Sequence, residues 1–479
     1  MPITRRQCLC TAPLLLLRAS PSSALRAEPA QWSEAFLESI GVCTHWTYND
    51  TPYGYAYDQV KHLLIDSGIR HIRDGFSERI TDLGQHGITT CLCVGPEASQ
   101  KPDAMKVADI VQRIKAINAQ QPSIDAVEGP NEPDLFWPRF HISYKGEGAD
   151  RGTASIVKGV TAFMADLYFA VKSEPATAKL TVIGPSLGVT YDPGAGHPNP
   201  FPKASLTNYV DWGNFHPYCG GNPFSFPFPY DTLEKYYWQG DFPSSKLDEF
   251  PYAFRTYAPP FAPKPMAATE TGYSTDRAGP SEAVHAKYMP RLFCENFRLG
   301  IRRSYSYEFI DEFNDPDATN REAHFGLVRR DLTPKPAYYA VKNLITLLRD
   351  KRPHAGFKPS TLPLTIHVSP VKDYREPISG QVTNYDRTQY VHHLLLQKSD
   401  GQFWILLWHE IADEDASVTP PRPIQPPAMP TEVFLPSNFH KAVIYRPNNG
   451  IHGVESDIIK GHLSLAVPDE LLVVQLFHH

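Results

Sequence analysis

Residues 88–133 read ITTCLCVGPEASQKPDAMKVADIVQRIKAINAQQPSIDAVEGPNEP, and their pattern decides the fold. Ile88 to Val94 is an unbroken apolar run of strand length. From Ala104 to Gln120, Val107, Ile110, Val111, Ile114 and Ile117 recur at the spacing of one helical face. Ile124-Asp-Ala-Val127 is again a short apolar run. A strand, an amphipathic helix and a second strand make a βαβ unit, which implies a parallel sheet covered by helices.

The alternation continues in both directions. Upstream, Ile40 to His45 and Ile69 to Arg73 read as strands, followed by helices over Ala56 to Ser67 and Arg79 to Gln85. Downstream, a polar loop leads to a helix over Ala154 to Lys172, and strands are expected at Leu180 to Ile183, Asp211 to His216, Met266 to Thr269 and Arg303 to Ile310. Helices over Glu282 to Leu299 and Ala337 to Arg349 close the last units. Eight units fit one (β/α)₈ barrel, assigned here to residues 28–352.

After Lys351 the helical period disappears. Leu364 to Val368, Tyr390 to Gln397, Phe403 to His409, Thr431 to Leu435, Lys441 to Tyr445, Leu463 to Val467 and Leu471 to Phe477 alternate as short strands between turns rich in proline, glycine and aspartate. An all-β sandwich is expected over residues 353–479.

Composition bounds the function. With 42% hydrophobic and 20% charged residues the chain is globular, and its 46 prolines, about twice the usual share, imply stiff loops. A net charge of −6 without a cluster of basic residues argues against a nucleic-acid partner. The N-terminus carries Arg5-Arg6, a short apolar run from Ala12 to Leu17, and small residues at Ser22-Ser23-Ala24 and Ala27, the layout of a twin-arginine export signal over residues 1–27. The run is too short to span a bilayer, so no integral membrane segment is expected. Removal of the segment takes away four arginines and brings the charge from −6 to −10. An exported protein, periplasmic or extracellular and of bacterial origin, is expected. Cys43, Cys91, Cys93, Cys219 and Cys294 would remain as free thiols, and without a CxxC pair or an HExxH motif neither a metal nor a cofactor is expected.

Barrel active sites lie at the C-terminal ends of the strands. There the fourth strand runs into Glu128-Gly-Pro-Asn131-Glu132-Pro133 and the seventh into Glu270-Thr-Gly-Tyr273. Strands four and seven face each other across the mouth, so Glu132 and Glu270 can converge on one bond. Paired carboxyls are what glycosidic cleavage needs: one protonates the leaving oxygen while the other attacks or stabilises the anomeric carbon.

These two segments resemble clan A of the glycoside hydrolases, retaining enzymes in which the strand-four glutamate is the acid/base and the strand-seven glutamate the nucleophile. The resemblance implies those roles for Glu132 and Glu270, with Arg73 supporting the nucleophile, Asn131 on the sugar 2-hydroxyl, and Tyr218 of His216-Pro-Tyr218 donating to Glu270. Phe325-Gly-Leu-Val and Pro334-Lys-Pro-Ala-Tyr338 also resemble the closing segment of many members. The match runs from Ile40 to about Leu348, and the barrel-plus-sandwich layout is most similar to families 39 and 30, with family 5 also similar. The clan usually ends strand eight with a tryptophan under the sugar, where this chain has Tyr305, Tyr307 and Glu308. Glu308 and Asp311 read as loop acids.

Aromatic residues on the mouth loops suit the CH faces of an oligo- or polysaccharide. The candidates are Trp46, Tyr48, Tyr53 and Tyr55, then Phe136 and Trp137, Tyr307, and Phe224, Phe226, Phe228, Tyr230, Tyr236, Tyr237 and Trp238. Two rival readings are a glycan-binding protein on an inactive barrel and a serine esterase using Ser186 of Gly184-Pro-Ser-Leu-Gly188. The esterase motif needs a following helix, and proline and glycine after Gly188 oppose one.

Overall fold

The computed structural model describes residues 25–96, 106–189, 191, 197–218, 256–351, 353, 356–375, 380–416 and 418–478. The export segment up to residue 24, Cys219 and the aromatic residues from Phe224 to Trp238 lie outside them.

Eight parallel strands form the barrel: Ile40–Cys43, His71–Asp74, Thr89–Cys93, Ile124–Glu128, Thr181–Ile183, Gly213–Phe215, Met266–Thr271 and Ser304–Ser306. They are hydrogen-bonded in the order six, seven, eight, one, two, three, four, five. A parallel bridge from Ile183 to Trp212, with Gly184 N donating to Trp212 O at 2.9 Å, closes the ring between five and six. Cys43, Cys91, Ala126, Ile183, Ala267 and Tyr305 fill the interior. Tyr305 fits because Gly41 faces it: a Cβ there would lie 2.5 Å from the ring.

The expected helices form with ends shifted by a few residues. Tyr57–Ser67 ends on Gly68 in the left-handed conformation, and Glu282–Arg298 starts where Ser281 Oγ accepts from Val284 N. Thr153–Ser173 is long and apolar enough to cross a membrane, but Ile156, Val160, Phe163, Met164, Leu167 and Val171 are buried in the protein core. The loop expected after strand four contains a further helix, Pro133–Phe140. Its start follows from Pro133, whose fixed φ suits the first helical position.

The sandwich has a four-stranded sheet, in the order Arg26–Pro29, Thr361–Val368, Met429–Phe434, His462–Val467, and a six-stranded one. The six run Gln31–Trp32, Val391–Gln397, Phe403–His409, Leu472–His478, Phe439–Tyr445, Val454–Asp457. The boundary at residue 28 therefore falls inside a sandwich strand. Arg26 pairs with Leu364, and Gln31 runs parallel to Leu396, before the chain enters the barrel through the helix Ser33–Leu37. These strands are too short to give a readable alternation. Because Arg26 and Ala27 belong to the first of them, a cut after Ala27 would remove half of it.

Candidate active site

At the C-terminal end of the barrel a cleft of about 920 Å³ is lined by Arg73, Asn131, Glu132, His216, Tyr218, Glu270 and Tyr307 among others. Seven of the nine sequence-derived site residues therefore converge. Glu270 lies within the seventh strand, which runs to Thr271, and its rigid backbone aims the side chain at the mouth. Glu132 is the residue before the helix Pro133–Phe140 and takes a left-handed conformation (φ 40°). That turn projects its carboxylate from the helix start.

Arg73 organises the floor. Its Nη1 donates to Glu270 Oε1 at 2.6 Å, its Nη2 to Asn131 Oδ1 at 2.7 Å, and its Nε and Nη2 to the two oxygens of Glu128 at 2.5 and 2.9 Å. Burial opposes the charge on Arg73, yet the carboxylates of Glu128 and Glu270 hold the guanidinium even more firmly protonated than usual. Glu128 was not singled out from sequence. It ends the fourth strand, is fully buried, and also accepts from Asn214 Nδ2 (3.1 Å) and Thr269 Oγ1 (3.0 Å). The signal in the sequence is an acid at the C-terminal end of the strand Ile124–Glu128, next to the apolar Ala126-Val127.

His216 joins the two candidate acids. Its Nδ1 lies 2.7 Å from Glu132 Oε1 and 3.6 Å from Glu270 Oε2, and its Nε2 is 3.1 Å from Thr269 Oγ1. Burial works against a charge on the ring, but the negative charge of Glu270 and the hydrogen bond to Glu132 raise His216 above its ordinary value. As an imidazolium it donates from both nitrogens. Tyr218 Oη donates to Glu270 Oε2 at 2.6 Å. Burial alone would raise the Glu270 carboxyl, yet the charges of His216 and Arg73 and the Tyr218 hydrogen bond bring it below the usual carboxylate range.

One oxygen of Glu132, one of Glu270 and a His216 nitrogen all lie within 4.8 Å of one another. Gly188 makes room for this: a Cβ at that position would lie 2.8 Å from the Glu132 carboxyl carbon. Asp134 anchors the loop carrying Gly188 by accepting from Gly188 N (2.9 Å), Val189 N (3.0 Å) and Tyr191 Oη (3.0 Å).

Four of the proposed sugar platforms are not in the cleft. Trp46 is 3% exposed, with its ring edge-on to Tyr53 and Tyr57, and Trp137 is 2% exposed on the inner face of its helix. Apolar packing claims both rings. Tyr53 is fully buried as well, and Tyr55 is exposed outside the cleft lining, beneath the Arg330 guanidinium. Tyr48, Phe136 and Tyr307 do line the cleft. Tyr307 is edge-on to Phe325 (centroids 5.2 Å apart) and Tyr218 (6.3 Å) where a tryptophan was the expected floor. Ser186 is fully buried, approaches Asn131 Oδ1 at 3.5 Å and accepts from Glu132 N at 3.4 Å. No helix follows it within residues 187–189, so it supports the acid loop and is not a nucleophile elbow.

Neither a protein-family model nor a curated protein sequence matches this chain. Solved structures do. A family 39 glycoside hydrolase from the gut symbiont Bacteroides cellulosilyticus superposes with a TM-score of 0.52 at 15% identity over 94% of this chain and 83% of the other. A family 39 enzyme from Xanthomonas axonopodis gives 0.51 at 14% identity over 94% and 96%. What these structures share with this chain is the fold, a (β/α)₈ barrel joined to a β-sandwich. A family 51 α-L-arabinofuranosidase from Bifidobacterium longum extends the likeness, with a TM-score of 0.53 at 11% identity over 95% and 98% of the two chains. At these identities barrel and sandwich are what is shared, and the chemistry has to be argued from this chain's own side chains.

Proposed function

We propose that the protein is a retaining glycoside hydrolase that cleaves an O-glycosidic bond in an oligo- or polysaccharide. The observation that carries this reading is the approach of Glu132 and Glu270 to within 4.8 Å, oxygen to oxygen, across an open cleft. Retaining enzymes bring their two carboxyl groups to about 5–5.5 Å, closer than the about 6.5–9.5 Å that inverting enzymes keep to admit a water, and so near an approach of single oxygens favours the retaining course. Glu270 is the group kept ionised, by His216, Arg73 and Tyr218.

Glu270 attacks the anomeric carbon while Glu132, protonated, gives its proton to the departing oxygen. A glycosyl–Glu270 ester forms as the aglycone leaves. Glu132, now a carboxylate, takes a proton from water, which attacks the anomeric carbon from the face the aglycone left and frees Glu270. His216 hydrogen-bonds Glu132 and faces Glu270, so it can follow the charge as it moves between them. Asn131, whose Oδ1 accepts from Arg73, would hold the sugar 2-hydroxyl through its free amide NH₂.

The test is a panel of aryl glycosides followed by proton NMR of the first product. Retention of the anomeric configuration is expected, and initial release of the inverted sugar would sink the mechanism. A glycan-binding protein without activity would turn over nothing in the panel.

A further inference from the structure

We propose a divalent-cation site behind the cleft wall, formed by His45, Glu308 and Glu312. The topology brings them together: His45 follows the first barrel strand, and Glu308 and Glu312 follow the eighth, which pairs with the first through Ser306 and Val42. His45 Nδ1 lies 2.6 Å from Glu312 Oε1 and 3.2 Å from Glu308 Oε2. One ligand atom from each of the three residues falls within 4.8 Å of the others. The side chains of Glu308 and Glu312 are 0% and 1% exposed.

Glu308 separates this cluster from an ordinary ion pair. Neither of its buried carboxylate oxygens has a hydrogen bond of good geometry, and the polar groups that face it are His45 Nδ1 and the Glu312 carboxyl. By contrast, neighbouring Asp74, also buried, accepts from Thr44 Oγ1, Trp46 N and Gly75 N. A buried carboxylate normally collects such donors or coordinates a metal. A divalent cation would give both acids a partner that one imidazole shared between them does not. The surroundings are apolar and tight: Tyr48 stacks on the His45 ring with centroids 4.7 Å apart, and Tyr53 and Tyr307 meet it edge-on.

The donor set specifies the ion. One imidazole nitrogen with carboxylate oxygens suits Mn²⁺ or Zn²⁺. Bonds of about 2.0–2.2 Å allow ligand atoms to stand up to about 4.4 Å apart, so small side-chain rotations suffice. His45 lines the cleft, which gives the ion a route in. The proposal does not depend on the hydrolase reading.

Chelator-stripped full-length protein titrated with MnCl₂ or ZnCl₂ in a calorimeter tests it. One equivalent per chain is expected, weakened about tenfold or more by Glu308→Gln and by Glu312→Gln. The Glu132–His216–Glu270 cluster is the other candidate cation cage. Glu270→Gln, which disturbs that cage alone, should leave the affinity unchanged. Circular dichroism checks that each variant folds, and Glu312→Gln decides the matter if Glu308→Gln does not. Absence of binding by either ion overturns the proposal, as does binding that survives both substitutions at 308 and 312 or is lost with Glu270→Gln.

Discussion

Arg73 and Arg291 are both buried guanidiniums that grip carboxylates, and their surroundings give them opposite meanings. Arg291, on the helix Glu282–Arg298, reaches the sandwich, where it meets Glu410 Oε1 (2.8 Å), Asp413 Oδ2 (2.9 Å) and the carbonyls of Ile411 and Asp469 (2.7 Å each). Arginine and acids there are completely enclosed, each 0% exposed. The apolar core is continuous across the same junction, with Leu396, Leu406, Trp408 and Val473 of the sandwich in one cluster with the barrel. Arg73 grips Glu128 with comparable geometry, but its other carboxylate, Glu270, opens on the cleft and faces a second acid. A buried ion pair by itself is architecture. What distinguishes the Arg73 network is a charge held ready where a substrate can reach it.

Exchanging charge for neutrality at the two places should therefore give opposite phenotypes. Glu270→Gln is expected to lower kcat on the best aryl glycoside by about four orders of magnitude, by loss of the nucleophile. Its melting temperature should fall only modestly, by the loss of the Glu270 charge, because Arg73 keeps its bidentate hold on Glu128. Arg291→Met should do the reverse. It takes the guanidinium from the buried Glu410 and Asp413, leaving Trp408 Nε1 on the first and Lys287 Nζ on the second, and costs about 3 kcal/mol of stability, read by urea titration, with kcat per folded molecule unchanged. A kcat loss in Arg291→Met as large as that of Glu270→Gln would erase the distinction.

Gly188→Ala sharpens the comparison on the other acid. The added Cβ would sit 2.8 Å from the Glu132 carboxyl carbon and 3.0 Å from the Glu132 Cβ, so the carboxylate must swing away while the turn that carries it gives by a few tenths of an ångström. Displacement by about an ångström costs up to about a hundredfold in rate. The expected result is that loss in kcat with at most a small fall in urea midpoint, and rescue by an aryl leaving group that needs no protonation would identify Glu132 as the group displaced.

The pH dependence of stability separates the networks more gently. Glu270 is held below its ordinary value of 4.5, so its contribution is complete above that pH and lost as the pH falls through the depressed folded value. His216 is raised above 6.5, so its contribution is complete below 6.5 and lost as the pH rises through the raised value. The Glu270 charge is the largest influence raising His216. Melting curves of Glu270→Gln across the pH range should therefore lose part of the acid-side decline and show a smaller alkaline decline that ends closer to 6.5. A profile parallel to wild type would mean that the two groups are not coupled.

The barrel was legible because an eightfold alternation of apolar runs and amphipathic stretches outlasts local noise, as in Val107 to Ile117, where the apolar spacing became a helix with Ile110, Val111 and Ile114 buried. Glu132 and Glu270 were legible because a strand end fixes where a side chain emerges. Glu128 was not, since its meaning depends on Arg73, 55 residues away, and on the barrel closing around both. Nor were the sandwich strands before residue 33, where four and two residues are too few for a period. Burial of single aromatic side chains on loops was the least legible: Trp46 and Tyr48 are two residues apart and both beyond strand one, yet they are 3% and 44% exposed.

That pair supplies the smallest contrast. Tyr48 stacks on His45 and lines the cleft, so Tyr48→Ala should remove a ring face from the sugar and raise KM by about five- to tenfold, the value of one aromatic contact of about 1 kcal/mol, with kcat and folding unchanged. Trp46, two residues earlier, is packed against Tyr53 and Tyr57. Trp46→Leu should leave KM alone and appear only as a lower urea midpoint, because the lost ring volume opens a cavity in the core. If instead Trp46→Leu raised KM while Tyr48→Ala did not, the sugar would have to approach from behind the loop, and the cleft wall would need to be redrawn there.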